Sequence, residues 1–184
     1  MNSSRAPKNV STRRTVHRGR VVDLGIEGVE LPDGGRLFLE VVRHPGGAAA
    51  VALDEGGRVC LLRQFRHAAG GWLWELPAGK LDPGEEPLAT ARRELAEEAG
   101  VDAARWEALG SILPTPGFCD EEVHLFLARD LRPVPTAHGA HERIEVHWVA
   151  FDEAVARAAA GAIRDAKTAV GLLRAAWRAR GGAP

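Results

Sequence analysis

The chain is poor in the residues that mark extracellular and membrane proteins. Cysteine occurs twice, as Cys60 and Cys119, too few for a disulfide framework. Free thiols in a reducing, cytoplasmic compartment are the expectation. No apolar run approaches the roughly 20 residues of a membrane span, and the first twenty residues lack the apolar core of a secretory leader. Neither sign of charge dominates: 24 Lys and Arg face 25 Asp and Glu, a net charge of −1. No global field therefore favours nucleic acid or a membrane surface as partner. Tyrosine is missing altogether, and Phe38 is the only aromatic residue before position 65. None of the seven histidines has metal-site spacing such as H-E-x-x-H. His138 and His141 fall in a Gly-containing loop and are expected to face solvent.

What the chain does have is an ordinary globular composition. Its 184 residues, 45% of them apolar, suit one domain with a single core, or one domain with a small appendage. Arg5, Lys8, Arg13, Arg14, Arg18 and Arg20 have no acid among them, so residues 1–15 read as a flexible basic tail. That tail is the one place where nucleic acid could be held. Residues 16–45 read as an antiparallel hairpin, Arg20–Ile26 and Arg36–Arg43, around the turn Pro32-Asp33-Gly34-Gly35. A hairpin so thin in core residues needs a partner, either the remaining chain or a second subunit.

Residues 46–180 form the main domain. Apolar segments at Ala48–Leu53, Arg58–Gln64, Trp72–Glu75, Trp106–Leu113, Val123–Leu131 and Ile144–Ala150 read as strands. Helices are expected at about Pro87–Ala99, at Asp152–Ala160 with Asp152 as its cap, and from Asp165 to about Arg178 with Val170, Leu173 and Trp177 on one side. Strands, a helix, strands and two helices argue for a mixed α/β domain.

The most informative stretch is Gly79–Val101, GKLDPGEEPLATARRELAEEAGV. On a helix turning about 100° per residue, Glu94, Glu97 and Glu98 crowd one face, while Leu88, Ala91, Leu95 and Ala99 take an adjacent one. Carboxylates so spaced repel one another. Taken alone they read either as a solvated acidic face or as oxygen ligands for a divalent cation such as Mg²⁺ or Mn²⁺. The residues before them favour the cation. Gly79, Glu85, Arg93-Glu94-Leu95, Glu97-Glu98 and Gly100-Val101 match every defined position of G-x5-E-x7-R-E-U-x-E-E-x-G-U, U being aliphatic.

This pattern resembles the signature of the Nudix hydrolases. The resemblance implies an α/β/α sandwich around a mixed sheet, here with a small N-terminal antiparallel hairpin. It also implies Mg²⁺-dependent hydrolysis of a nucleoside diphosphate linked to another moiety. By that resemblance Glu94, Glu97, Glu98 and the Ala78 carbonyl are the metal ligands. Gly79, Glu85 and Arg93 are structural within the box, with Arg93 pinning Glu85.

The flanks, Arg43-His44-Pro45-Gly46, Leu62-Arg63-Gln64-Phe65-Arg66, Trp74-Glu75-Leu76-Pro77-Ala78-Gly79 and Pro116-Gly117-Phe118, are similar to the ADP-ribose pyrophosphatase group. Pro116 stands at the group's marker position, sixteen residues beyond Gly100. The resemblance implies a cytoplasmic homodimer that splits ADP-ribose, or a similar nucleoside diphosphate sugar, into a nucleoside monophosphate and a sugar phosphate. Arg66 is then the phosphate contact, against a solvated strand-end arginine. Glu75 lies near the phosphates or ribose, against a buried pair with an arginine. Glu122 is a site acid, against an exposed strand acid, and Phe38 is the one N-terminal aromatic able to meet a base. The general base falls on Glu142, with Glu145, His141, Glu97 or another box glutamate such as Glu98 as alternatives. The rival functions are a sugar-nucleotide pyrophosphatase not selective for ADP-ribose, and a module that binds a nucleotide sugar without cleaving it.

Overall fold

A computed structural model describes residues 10–137 and 143–182. Three strands, β1 (Val10–Arg18), β2 (Asp23–Glu30) and β3 (Arg36–Arg43), form an antiparallel N-terminal sheet in the order β1-β2-β3. The turn between β2 and β3 closes through Gly34 N donating to Leu31 O at 2.9 Å and Gly35 N donating to Asp33 Oδ1 at 2.9 Å. Strand β1 starts at Val10, within the stretch 1–15 expected to be a basic tail. Arg13 explains the extension: it bonds Asp23 at 2.6 Å and Glu27 at 3.0 Å, so charges read as solvated are spent on β2.

The main body holds two further sheets. One runs β10-β5-β6, from β5 (Arg58–Arg66), β6 (Gly71–Glu75) and β10 (Ile144–Ala150). The other runs β7-β4-β9-β8, from β4 (Gly47–Ala52), β7 (Ala78–Lys80), β8 (Val101–Ile112) and β9 (Val123–Pro133). Within it β4 and β9 are parallel and the other pairs antiparallel, so the sheet is mixed. Strand β4 is fully buried and built from Ala48, Ala49, Ala50, Val51 and Ala52. Its alternating side chains enter two apolar clusters. Ala49 and Val51 pack with Leu172 and Ala175 of helix α3 (Ala166–Ala179) and with Ala154 and Ala158 of α2 (Phe151–Ala159). Ala50 and Ala52 pack with Leu95 and Ala99 of α1 (Pro87–Ala99). Helices thus cover both faces, giving the α/β/α sandwich. Small side chains on β4 let them approach, and Gly171 completes the fit, since a Cβ there would sit 2.8 Å from Leu76 Cδ1.

Two helix details differ from the sequence reading. Asp152 does not cap α2; the cap is Ala150, and Asp152 lies in the first turn, where it complements the helix dipole. The buried stripe of α3 is Thr168, Gly171, Leu172 and Ala175, not Val170, Leu173 and Trp177. Spacings of three and four place those four residues on one face, and Leu173 and Trp177 are exposed. Asp165 does cap α3, accepting from Thr168 N at 3.0 Å. No helix among the described residues is long and apolar enough to cross a membrane.

Ionic contacts tie the N-terminal sheet to the body. Glu27, 1% exposed, accepts from Arg13 and from Arg43, whose Nη1 reaches Asp120 at 3.0 Å. The other Asp120 oxygen takes His44 N at 2.8 Å. The end of β3 is thereby fixed beside the cleft described next.

Candidate active site

A cleft of about 440 Å³ opens where β4, β7, α1, α3 and the segment before β9 meet. Its polar lining is His44, Gln64, Arg66, Lys80, Glu94, Glu98, Glu121 and Lys167. Each residue arrives for a local reason. Helix α1 begins with Pro87 in its first turn, where a missing N–H costs nothing, and ends at Gly100 in the left-handed conformation at φ 67°. Between these ends Ala91, Leu95 and Ala99 anchor the helix. The same rotation that buries them aims Glu94 and Glu98 at β7. Glu98, 4% exposed, accepts from Ala78 N at 2.8 Å. Glu94 lies so close to Gly79 that a Cβ there would overlap its carboxylate. The glycine is required by that approach.

Glu85 and Arg93 hold the loop before α1. Arg93 donates through Nε and Nη2 to the two Glu85 oxygens at 3.1 and 3.0 Å, and through Nη1 to Glu94 at 2.6 Å. The hydrogen bond from Arg93 holds the Glu85 pKa down at about 2, against the smaller opposing effect of burial. Arg93 also fixes the Glu94 carboxylate. Of the three glutamates crowded on α1, Glu97 stands apart. Its side chain is 41% exposed, lies 3.5 Å from Arg93, and is not part of the cleft lining.

The same cleft is also lined by cations, Arg66, Lys80 and Lys167. Arg66, at the end of β5, donates through Nε and Nη2 to Glu75 at 2.8 and 2.9 Å. Glu75 also accepts from Lys167 Nζ at 2.5 Å. Burial is the largest single influence on Glu75 and would raise its pKa, yet the bonds and charges of Arg66 and Lys167 together outweigh it and hold it at about 2. Glu75 is thus a buried ionic anchor for an arginine, one of the two roles read for it in the sequence. Arg66 lines the cleft and keeps its Nη1 end clear of the Glu75 pair.

Other expected residues lie elsewhere. Glu122 turns to the Ser111 hydroxyl, and its neighbour Glu121 lines the cleft instead. Pro116 borders a second, more apolar cavity of about 550 Å³ with Leu39, Val41, Leu113 and Phe118. Phe38 is 76% exposed and one residue out of phase with Leu39 and Val41, hence on the other face of its sheet. Glu145 is on exposed β10, 3.6 Å from Arg63 and 3.4 Å from His147. His138, His141 and Glu142 lie outside the described residues. Cys60 is buried behind Glu98. Burial first, then the Glu98 charge, pushes its thiol up to about 12, so it is neutral and unreactive.

Lys167 and Glu121 were missed from the sequence. The signal for Lys167 was its place two residues after a helix-capping aspartate. Nothing in local spacing separated Glu121 from Glu122.

The acidic wall offers oxygen donors only, the set suited to a hard divalent cation. Among the described residues no three acidic, histidine or cysteine side chains make a ready cage. Two carboxylates beside a backbone carbonyl suit an ion that keeps part of its water shell and takes its remaining ligands from phosphate. The residues present therefore fit such an ion.

The Nudix domain model matches residues 43–169. The chain belongs to the Nudix family. It is 41% identical to the ADP-ribose pyrophosphatase of Mycobacterium tuberculosis (strain ATCC 25618 / H37Rv) over 162 residues, covering 86% of this chain and 78% of that protein. It is 38% identical to the ADP-ribose pyrophosphatase of Bacillus subtilis (strain 168) over 162 residues, covering 87% and 88%. Among solved structures, that of an ADP compounds hydrolase superposes with a TM-score of 0.72 at 21% identity, over 95% of this chain and 96% of the other. That likeness speaks for the Nudix fold. Members of this family generally use divalent metal ions.

Proposed function

We propose that this Nudix protein hydrolyses the diphosphate of ADP-ribose, or of a similar nucleoside diphosphate sugar, to a nucleoside monophosphate and a sugar phosphate. One observation carries the reading: half-buried Glu94 and buried Glu98 line the same cleft as Arg66 and Lys167. Acidic and basic groups in one cleft accommodate a diphosphate and the cations that accompany it. Similarity to two ADP-ribose pyrophosphatases supports the choice of substrate.

In this reading Glu94, Glu98 and the Ala78 carbonyl are ligands for a divalent cation, Mg²⁺ first and Mn²⁺ second. When bound, such an ion neutralises phosphate oxygens and lowers the pKa of water. Arg66 binds a phosphate oxygen through Nη1, its fork having the geometry for that contact. Arg93 holds the Glu94 carboxylate in place and Ala78 N holds that of Glu98. Water oxygen bonds to one phosphorus, the bridging P–O bond breaks, and the water proton passes to a glutamate. Glu142 is the proposed acceptor, ahead of Glu97. The homodimer is proposed through the N-terminal sheet, whose exposed Phe38 supports an apolar contact. Free thiols at Cys60 and Cys119 support a cytoplasmic setting.

A second reading, a sugar-nucleotide pyrophosphatase without preference for ADP-ribose, is favoured by the cleft itself. Among the described residues, no Phe or Trp lines it. The test is a panel of ADP-ribose, ADP-glucose, GDP-mannose, UDP-glucose and NADH with Mg²⁺, read as released monophosphate. Highest kcat/KM on ADP-ribose is expected, equal rates across the sugars favour the second reading, and no cleavage refutes both. Glu98→Gln is expected to lower turnover by about 100-fold or more with the circular dichroism spectrum unchanged. Turnover near that of the wild type would remove the metal assignment.

A further inference from the structure

We propose that Lys167 is a positioning residue for the phosphate-binding wall: it shares Glu75 with Arg66 and so leaves Arg66 both oriented and electrically available to a diphosphate. The proposal rests on the hydrolase reading for the identity of the anion.

Glu75 is a single carboxylate, 1% exposed, bound by two cations. Arg66 holds it through Nε and Nη2, and Lys167 Nζ lies 2.5 Å from Oε2. With Arg66 alone, one negative charge would cancel one positive charge, and the wall would offer a phosphate a neutral pair. With Lys167 added, two cations share the Glu75 charge, while Asp165, 2.9 Å from Lys167 Nζ, balances the second cation, so the four groups sum to zero. The part of the Arg66 charge that Lys167 thereby frees from Glu75 faces a cleft that also holds Glu94, Glu98 and Glu121.

The first turn of α3 is built to keep Lys167 there. Nζ lies 2.9 Å from Asp165 Oδ1. The other Asp165 oxygen takes Thr168 N at 3.0 Å and the Thr168 hydroxyl at 2.5 Å. Thr168 Oγ1 in turn accepts from Leu76 N at 2.8 Å, next in the chain to Glu75. The helix therefore grips β6 twice, by the backbone at Leu76 and by the side chain at Glu75. Asp165 thus both caps α3 and pairs with Lys167, which holds the ammonium group at the start of the helix. The side chain of Lys167 is 16% exposed, and the residue lines the same cleft as Arg66.

The experiment uses the full chain in Mg²⁺ buffer and measures ADP binding by titration calorimetry for wild type, Lys167→Met, Lys167→Arg, Arg66→Met and the double Lys167→Met/Arg66→Met. Steady-state ADP-ribose kinetics and thermal melting run alongside. Lys167→Met is expected to weaken ADP by about tenfold, the scale of one hydrogen bond to a charged group. KM should rise while kcat stays within about threefold, and Lys167→Arg should stay within about threefold of wild type throughout. The double variant should bind ADP no more weakly than Arg66→Met, because Lys167 acts through Arg66. A lysine that lowers the melting temperature but leaves ADP affinity and KM unchanged is merely structural and overturns the proposal, as does a wild type that binds no ADP. A wild type that binds ADP with the expected variant pattern but cleaves no nucleotide sugar removes the hydrolase reading and leaves the wall standing. Cleavage of ADP-ribose by a Lys167→Met variant with wild-type ADP affinity and KM removes the wall and leaves the hydrolase.

Discussion

Replacing Glu75 by Gln should both destabilise the protein and change how it responds to acid. The carboxylate is 1% exposed and joins β5, β6 and α3 through Arg66 and Lys167. Its pKa falls from the ordinary 4.5 to about 2 in the fold. At about 1.4 kcal/mol per unit, that difference is worth about 3 kcal/mol of folding free energy near neutral pH. The sign follows from the direction. A folded pKa below the unfolded one adds stability that is fully present above about 4.5, and is lost as pH falls towards about 2. Gln keeps the shape and removes the charge, leaving two cations facing a neutral amide. The cost should therefore be about 3 kcal/mol, within the range for breaking a buried ion pair. At this size that amounts to a fall in Tm of about 6–12 °C at pH 7. Urea unfolding of wild type and Glu75→Gln at intervals between pH 7 and pH 2 is the assay. The gap between the two curves should be widest at neutral pH and should close through the acidic window. A gap that is absent at pH 7, or that stays constant down to the lowest pH, would refute the account of Glu75 as an ionic anchor.

Two further substitutions separate the site from the core. Gly79→Ala places a methyl group where the Glu94 carboxylate lies; displacement of that proposed ligand by about 1 Å should cost about 100-fold in kcat, and wild-type kcat would show that the close approach is dispensable. Leu172→Ala empties a fully buried position between α3 and β4; it should cost about 2–5 kcal/mol in urea unfolding with KM for ADP-ribose unchanged, and a smaller loss would mean that the α3 face collapses into the space.

The parts of the site that could be read from the sequence are those set by short spacing. The pairing of loop residue Glu85 with Arg93, eight residues on, was implied by the resemblance of the box, whereas Glu94 and Glu98 are one helical turn apart, so their relation follows from helix geometry before any tertiary structure is known. The limits of α1 were legible for the same reason, since Pro87 and Gly100 act on the backbone locally. Glu75 and Lys167 are 92 residues apart. Either was as plausible on the surface as in a pair, and only the docking of α3 on β6 decides between the two. The buried face of α3 shows the same limit. Sequence periodicity favoured its large residues, Val170, Leu173 and Trp177, whereas the buried stripe runs through Thr168, Gly171, Leu172 and Ala175. A helix packed tightly on an alanine-rich strand needs small residues where the two approach most closely, here Gly171, while Leu172 fills the space beside it. The N-terminal sheet gives the reverse case. Arg13, read as part of a basic tail, and Arg43, read only as part of a flanking motif, converge on buried Glu27, and Arg43 continues to Asp120 and the segment carrying Glu121 into the cleft. The sheet that looked like an appendage thus has a polar connection to the chemistry. The box supplies the acidic wall from one local motif, while residues far apart in the chain supply the basic wall and set its charge.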